Sequence, residues 1–181
     1  MRRMIYMLLA EGFEETEAIG ALDVMRRAGL KVQTVGITGK HVCGSHGVEV
    51  TADIEKNEMD FDEIDGVVLP GGMPGTENLK SDSTAIRAVK LCAERGLLTA
   101  AICAAPMILG QLGLLKGKRA TCYPGYEKEL DGAECCTDSV SVDGNIITAR
   151  GAGVSMLFGA RIADFFEKGS GEEILIQMQH A

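Results

Sequence analysis

Short apolar runs alternate along this chain with segments whose apolar residues recur at helical spacing, and that alternation is what most narrows its fold. A run that is apolar on successive residues reads as a strand buried on both faces, the situation in a parallel sheet covered by helices. The runs mark strands at residues 4 to 10, Lys31 to Gly36, Gly66 to Leu69 and Leu97 to Ile102. Between them, Glu15 to Ala28 reads as a helix with Ile19, Leu22, Val24 and Met25 inward and Gly29 as its stop. Ser83 to Arg95 reads as a second, with Ile86, Val89, Leu91 and Cys92 apolar and Gly96 closing it. The expected fold class is therefore α/β, a mostly parallel sheet with helices on both faces.

Two segments depart from the alternation. His41 to Ala52, broken by Gly44 and Gly47, and Ser139 to Ala149, divided by Asp143-Gly144, each read as a hairpin or β excursion, the second with a strong turn signal. Val154 to Glu167 and Glu172 to His180 read as closing helices, and no internal repeat is present. A chain of 181 residues suits a single domain and can bury roughly 70% of the surface exposed on unfolding.

Charge and cysteine usage exclude several function classes. With 18 basic against 26 acidic residues, a net charge of −8, the chain lacks the clustered Lys and Arg that a nucleic-acid partner demands. Met1-Arg2-Arg3 followed by Met4 to Ala10 superficially resembles a secretion signal. Its apolar run is short, though, and meets acidic Glu11, Glu14 and Glu15 where a cleavage site belongs. A buried first strand is expected instead, with no membrane span and a cytoplasmic location. The six cysteines (43, 92, 103, 122, 135 and 136) are expected as free thiols, because a chain this size has core enough without staples. Cys135 and Cys136 are expected as strand neighbours facing opposite ways. Paired C-x-x-C spacing is absent and there are only three histidines, so neither a metal nor any other cofactor is expected.

The chemistry concentrates in three loops. Leu97 to Ile102 runs into Cys103 and then at once into Ala104, Ala105 and Pro106, the layout of a nucleophile elbow. The sharp turn requires small neighbours, and proline suits the first turn of the following helix, whose free amides favour a thiolate. An inert buried cysteine is the competing reading of that segment. A second turn, Leu69-Pro70-Gly71-Gly72-Met73-Pro74-Gly75, ends another strand; amides of Gly72 and Ala104 would jointly bind an oxyanion if the two strands are neighbours. A phosphate loop would need a Lys-Ser/Thr ending that is missing, and a plain tight turn is the alternative. In the acidic loop after the first strand, Glu14 and Glu15 read as dipole-complementing residues on a solvated face. Glu17, one step from Ala18, Ile19 and Ala21, is placed to reach Cys103 at the carboxyl edge of the sheet.

Taken together, Glu14-Glu15-Thr16-Glu17, Asp23 to Gly29, Leu69-Pro70-Gly71-Gly72, Ala101 to Pro106 and Arg150-Gly151-Ala152-Gly153 resemble the ThiJ/PfpI family over essentially the whole chain, in the branch containing the parkinsonism-associated protein DJ-one. The resemblance implies a flavodoxin-like three-layer sandwich, a homodimer, Cys103 as reactive thiolate and Glu17 as its protonated partner. It matches Gly72 and Ala104 to the amides lining the family pocket and adds Glu14, Gly71, Tyr123 and Arg27 as pocket candidates, Arg27 near the partner's site. One departure stands out: Thr121-Cys122-Tyr123-Pro124 puts Tyr123 where the branch commonly has a histidine. The late His-x-Glu of a resembling glutamine amidotransferase is also missing, which argues against ammonia transfer, as the lack of a histidine partner argues against Cys-His proteolysis.

The expected function is that of a cofactor-free, cysteine-dependent enzyme on small reactive carbonyls or glycated adducts, converting a 2-oxoaldehyde to a hydroxy acid. The rival is an oxidative-stress sensor or protective chaperone acting through oxidation of Cys103.

Overall fold

The structure, a computed structural model, describes residues 4–180. Met1, Arg2 and Arg3, the charged part of the segment weighed above as a secretion signal, lie outside them. The elements follow in the order β1 (Met4–Leu9), α1 (Glu15–Arg27), β2 (Val32–Gly36), β3 (His41–Cys43), β4 (Glu49–Thr51), β5 (Ile54–Glu55), β6 (Ile64–Leu69), α2 (Gly75–Ser81), α3 (Ser83–Glu94) and β7 (Leu98–Ile102). The second half adds α4 (Pro106–Gln111), β8 (Arg119–Ala120), β9 (Glu134–Cys135), β10 (Val140–Asp143), β11 (Ile146–Ala149), α5 (Ser155–Phe166) and α6 (Ser170–Gln177).

A seven-stranded sheet forms the middle layer in the order β10-β11-β7-β6-β1-β2-β5. Every neighbouring pair in it is parallel except β10 and β11, which close as an antiparallel hairpin through Gly144 and Asn145. The excursion at 41 to 52 is a separate antiparallel pair, β3 with β4, and β8 pairs with β9.

The inner strands β1, β6 and β7 are mostly apolar because alternate residues feed two cores. Tyr6, Leu8, Val67, Leu69 and Ala101 pack with Ala85, Val89 and Cys92 of α3 and with Met107, Ile108 and Leu109 of α4. Ile5, Met7, Leu9, Val68, Ala100 and Ile102 face the other way, onto Ala18, Ala21, Leu22 and Met25 of α1 and Phe158 and Ile162 of α5. Helices thus cover both faces. Glycine lets α1 and α5 approach closely, since a Cβ on Gly159 would lie 2.8 Å from the Ala21 carbonyl oxygen.

The inward stripe of α1 differs from expectation at one residue. Leu22, Val24 and Met25 are buried, but Ile19 is 41% exposed, because the buried arc runs instead through Glu17, Ala18 and Ala21. Among the described residues no helix is long and apolar enough to cross a membrane.

Candidate active site

Register brings the functional loops together. Leu69 of β6 pairs with Ala101 of β7, and Ala149 of β11 with Ile102, so the turns after β6, β7 and β11 leave the sheet side by side at its carboxyl edge. The loop after β1 joins them: the Glu14 N–H donates to the Gly71 carbonyl at 2.9 Å and the Gly75 N–H to the Gly12 carbonyl at 3.2 Å.

Cys103 follows directly on β7 with φ +66°, in the left-handed region that costs any residue with a Cβ. The surroundings over-determine it: its N–H donates to the Ala149 carbonyl at 2.9 Å, and its own carbonyl accepts the Tyr123 N–H at 2.8 Å. The strained turn turns the side chain out of the sheet toward Gly71, Gly72 and Glu17. A Cβ on Gly71 would stand 2.6 Å from Cys103 Cβ and 2.7 Å from Glu17 Oε2, so that position admits no side chain. Gly72 has φ +88°, and the backbone amides of Gly72 and Ala104 are the groups that favour the Cys103 thiolate.

Glu17 sits in the first turn of α1 and is 1% exposed. Its own N–H is capped by Glu14 Oε2 at 2.6 Å. The Gly71 N–H donates to Glu17 Oε2 at 2.9 Å, while buried Oε1 makes no conventional hydrogen bond and the Cys103 thiol is the other group the carboxyl meets. Burial raises the Glu17 carboxyl to about 7, against the lowering effect of Cys103 and the Gly71 amide and with help from the negative charge of Glu14.

The thiol departs from the expectation of a helix-lowered cysteine. Burial, followed by the charge and hydrogen bond of Glu17, pushes Cys103 up to about 12, and the Ala104 and Gly72 amides only partly oppose this. Helix α4 itself begins three residues later, at Pro106. The two groups share one charge: when Glu17 is ionised the thiol keeps its proton. When Glu17 is protonated its charge no longer opposes the thiolate, and its O–H becomes a donor to it.

The remaining predicted residues divide. Glu14 and Glu15 are largely covered rather than solvated, with 15% and 12% side-chain exposure. Tyr123 lies at the rim, 50% exposed, and its ring meets Gly151, where a Cβ would be 3.3 Å from Tyr123 Cδ2 and 3.9 Å from Glu17 Oε1. Arg27 is not brought to the site within the chain: it ends α1, ten residues beyond Glu17, and pairs with Asp23 at 2.8 Å.

Sequence reasoning missed His46. It arrives from the β3–β4 hairpin, with its N–H on Glu15 Oε1 at 2.7 Å and Nδ1 3.0 Å from Glu15 Oε2. Burial opposes, but the His46 side chain and the amides of Glu15, His46 and Val48 prevail, and the Glu15 carboxyl is lowered to about 2. The ligand atoms of Glu14, Glu15 and His46 lie within 4.8 Å of one another, the one such grouping of potential metal ligands among the described residues. Glu15 spends its oxygens on His46, Ser45 and Val48, which makes the group a tie between hairpin and helix. Only the bridge between Phe13 and Gly44, invisible in sequence, would have signalled it.

Neither of the two best-formed clefts is lined by Cys103 or Glu17. The wider, about 580 Å³, lies among Glu55, Lys56, Asn78 and Asp82, with Lys56 paired to Asp82. The other, about 380 Å³, opens between Tyr123 and the turn at 150 to 154 and comes nearest the reactive pair at Gly151, where a Cβ would be 3.9 Å from Glu17 Oε1.

Residues 3–164 match the DJ-1/PfpI family. The protein dj-1beta of Drosophila melanogaster is 38% identical over 167 residues, covering 91% of this chain and 89% of that protein. Its crystal structure superposes with a TM-score of 0.93 at 35% identity over the full length of both chains. DJ-1 homolog B of Arabidopsis thaliana is 37% identical over 159 residues; these are 86% of this chain and 36% of that protein, so the chain spans about a third of its length. A protein of Thermococcus kodakarensis named as a deglycase is 34% identical over 151 residues, covering 82% of this chain and 90% of the relative.

Proposed function

The chain belongs to the DJ-1/PfpI family, and from that premise we propose that it is a cofactor-free cysteine enzyme acting on reactive carbonyls, small 2-oxoaldehydes or the glycated adducts they form. The observation that carries this reading is the Glu17 carboxyl, buried, raised to about 7, held by the Gly71 N–H and in contact with Cys103. A group titrating near neutrality beside a nucleophile is what proton transfer in both directions requires. The deglycase-named relative supports the same substrate class.

The reaction begins when the Cys103 proton passes to the Glu17 carboxylate, giving the thiolate beside a protonated carboxyl. The sulfur adds to the aldehyde carbon, the carbonyl oxygen takes the Glu17 proton, and the product is a hemithioacetal. The amides of Gly72 and Ala104 are the donors available to the developing negative charge. Glu17, now a carboxylate, removes the hydrogen from the former aldehyde carbon and returns it to the adjacent carbon, while the hemithioacetal hydroxyl proton passes to the former ketone oxygen, leaving a 2-hydroxy thioester on Cys103. Water hydrolyses the thioester to the 2-hydroxy acid and frees the thiol. The sum is 2-oxoaldehyde plus water to hydroxy acid, with no net redox change and no external acid. Tyr123, in the place of a histidine, takes no part in proton transfer; it walls the cleft.

A second reading rests on the same contacts. The two amides on the sulfur and the Glu17 proton would also stabilise a sulfinate, making Cys103 an oxidation sensor without turnover. Methylglyoxal incubated with wild type, Cys103→Ser and Glu17→Gln separates the two. Repeated lactate formation per site by wild type, at background in both variants, supports the enzyme. No lactate from wild type, with selective oxidation of Cys103 by dilute peroxide, supports the sensor.

A further inference from the structure

We infer that the 380 Å³ cleft beside the reactive pair is an anion subsite in which Arg150 receives a carboxylate or phosphate carried by the carbonyl substrate. The inference rests on the carbonyl reading of Cys103 and narrows its substrate class.

The cleft abuts the chemistry through two of its own walls. Tyr123 donates its N–H to the Cys103 carbonyl, and Gly151 is the small residue that separates the Tyr123 ring from Glu17 Oε1. Arg150 lies between them in the chain's path, one residue past the end of β11, whose last carbonyl accepts the Cys103 N–H. A substrate whose aldehyde carbon bonds the sulfur extends past Gly151 into this space.

Arg150 is the cleft's one charged wall; the rest is Tyr123, Pro124, Ser139 and the 151–154 turn. Of the described arginines, Arg26, Arg27, Arg119 and Arg161 each face a carboxylate within hydrogen-bond distance, Arg87 lies 3.9 Å over the Phe61 ring and Arg95 donates to the Phe61 carbonyl. Arg150 faces neither a carboxylate nor a ring among the described residues. Its Nη1–H donates to the Thr137 carbonyl at 3.3 Å, which orients the guanidinium and leaves most of its five donors unspent. An exposed, oriented guanidinium with no acid of its own, in the wall of a cleft that abuts Glu17 through Gly151, fits a planar anion bidentately. The absence of a side chain at Gly151 and Gly153 keeps the approach open.

The test measures Cys103 alkylation, which needs no turnover. Thiolate addition to a maleimide forms one C–S bond and places a proton on the neighbouring carbon, so no oxidant or cofactor enters. Rates for N-(2-carboxyethyl)maleimide and neutral N-ethylmaleimide are followed on the Cys103 peptide by mass spectrometry in wild type, Arg150→Gln, Arg150→Lys and Arg161→Gln. The expected result is a rate ratio, carboxylate over neutral, that drops about tenfold in Arg150→Gln, the scale of one charge-assisted pair. Arg150→Lys recovers part of it and Arg161→Gln, an equal change in net charge elsewhere, leaves it unchanged. Because each rate is divided by that of the neutral reagent, a general loss of thiol reactivity cancels. A ratio unchanged in Arg150→Gln, or lowered as much by Arg161→Gln, overturns the subsite. Failure of wild type to turn over methylglyoxal would instead remove the carbonyl reading, whatever the ratio does.

Discussion

Gly71 and Glu17 are joined by a single hydrogen bond, the glycine N–H to Oε2 at 2.9 Å, and that bond decides which carboxyl oxygen carries the proton when Glu17 is neutral. The amide can only donate, so it takes an oxygen that accepts, and Oε1 is left as the natural seat of a proton. The same glycine has no room for a side chain on its other flank, where Cys103 stands. The loop after β6 therefore fixes both members of the reactive pair at once.

Stability should depend on pH through Glu17. Its carboxyl titrates near 7 in the fold against an ordinary value of 4.5. Between those values the folded chain holds a proton that the unfolded chain has released. The contribution is complete below about 4.5 and is lost as pH rises through about 7. At 1.36 kcal/mol per pH unit the loss amounts to about 3 kcal/mol. Urea unfolding of wild type minus that of Glu17→Gln should show this decline; a difference that stays flat from pH 4.5 to 7.5 would contradict it.

Gly71→Ala should damage structure and chemistry together. The new methyl meets Cys103 Cβ, Glu17 Oε2 and the Ile102 carbonyl oxygen, all within 2.9 Å. Overpacking of this kind costs about 1–3 kcal/mol, and the displaced carboxyl should lower turnover by at least about tenfold. Denaturant midpoints and initial rates on the same preparation check both halves.

Replacing the cysteine separates strain from reactivity. Both Cys103→Ala and Cys103→Gly remove the sulfur, but only glycine relieves φ +66°. The glycine variant should be the more stable of the two by about 1 kcal/mol, the reverse of the usual order at a regular position. Equal midpoints in urea would show that the turn is not strained.

Glu14 acts on its neighbour in two ways that substitution can split. Glu14→Ala removes the cap on the Glu17 N–H and should cost about 1 kcal/mol, whereas Glu14→Gln keeps an oxygen acceptor and should cost less. Both remove a negative charge that raises the Glu17 carboxyl, so both should move its titration downward, as followed by carbon NMR of the carboxyl. A titration unmoved in both variants would refute the electrostatic coupling.

The long elements were legible because each carries its own period. β1 is an unbroken apolar run, β6 and β7 are nearly so, with Asp65 hiding the start of β6 two residues before the expected Gly66, and α1 and α3 have helical spacing closed by Gly29 and Gly96, both at positive φ. The two-residue strands β5, β8 and β9 are too short to show any period, and α2 starts inside a loop of prolines and glycines that reads only as a turn. In the site, Cys103 was marked by the residues beside it in sequence. The Glu15–His46 contact was not, since it spans 31 positions and depends on where the β3–β4 hairpin folds back. Arg150 stands in the Arg150-Gly151-Ala152-Gly153 motif, but its lack of an acid partner among the described residues is visible only in three dimensions.

The margins of the seven-stranded sheet bear on how the chain behaves at high concentration. β5, at one side, offers two residues, and β10, at the other, offers four and ends in Asp143, bound to Lys118 at 3.1 Å. Extended chains recruit one another along unpaired edge amides, and strands this short, one of them tipped with charge, give an incoming strand little template. The architecture keeps its most apolar strands, β1, β6 and β7, in the interior of the order, away from both edges where fibrous association would begin.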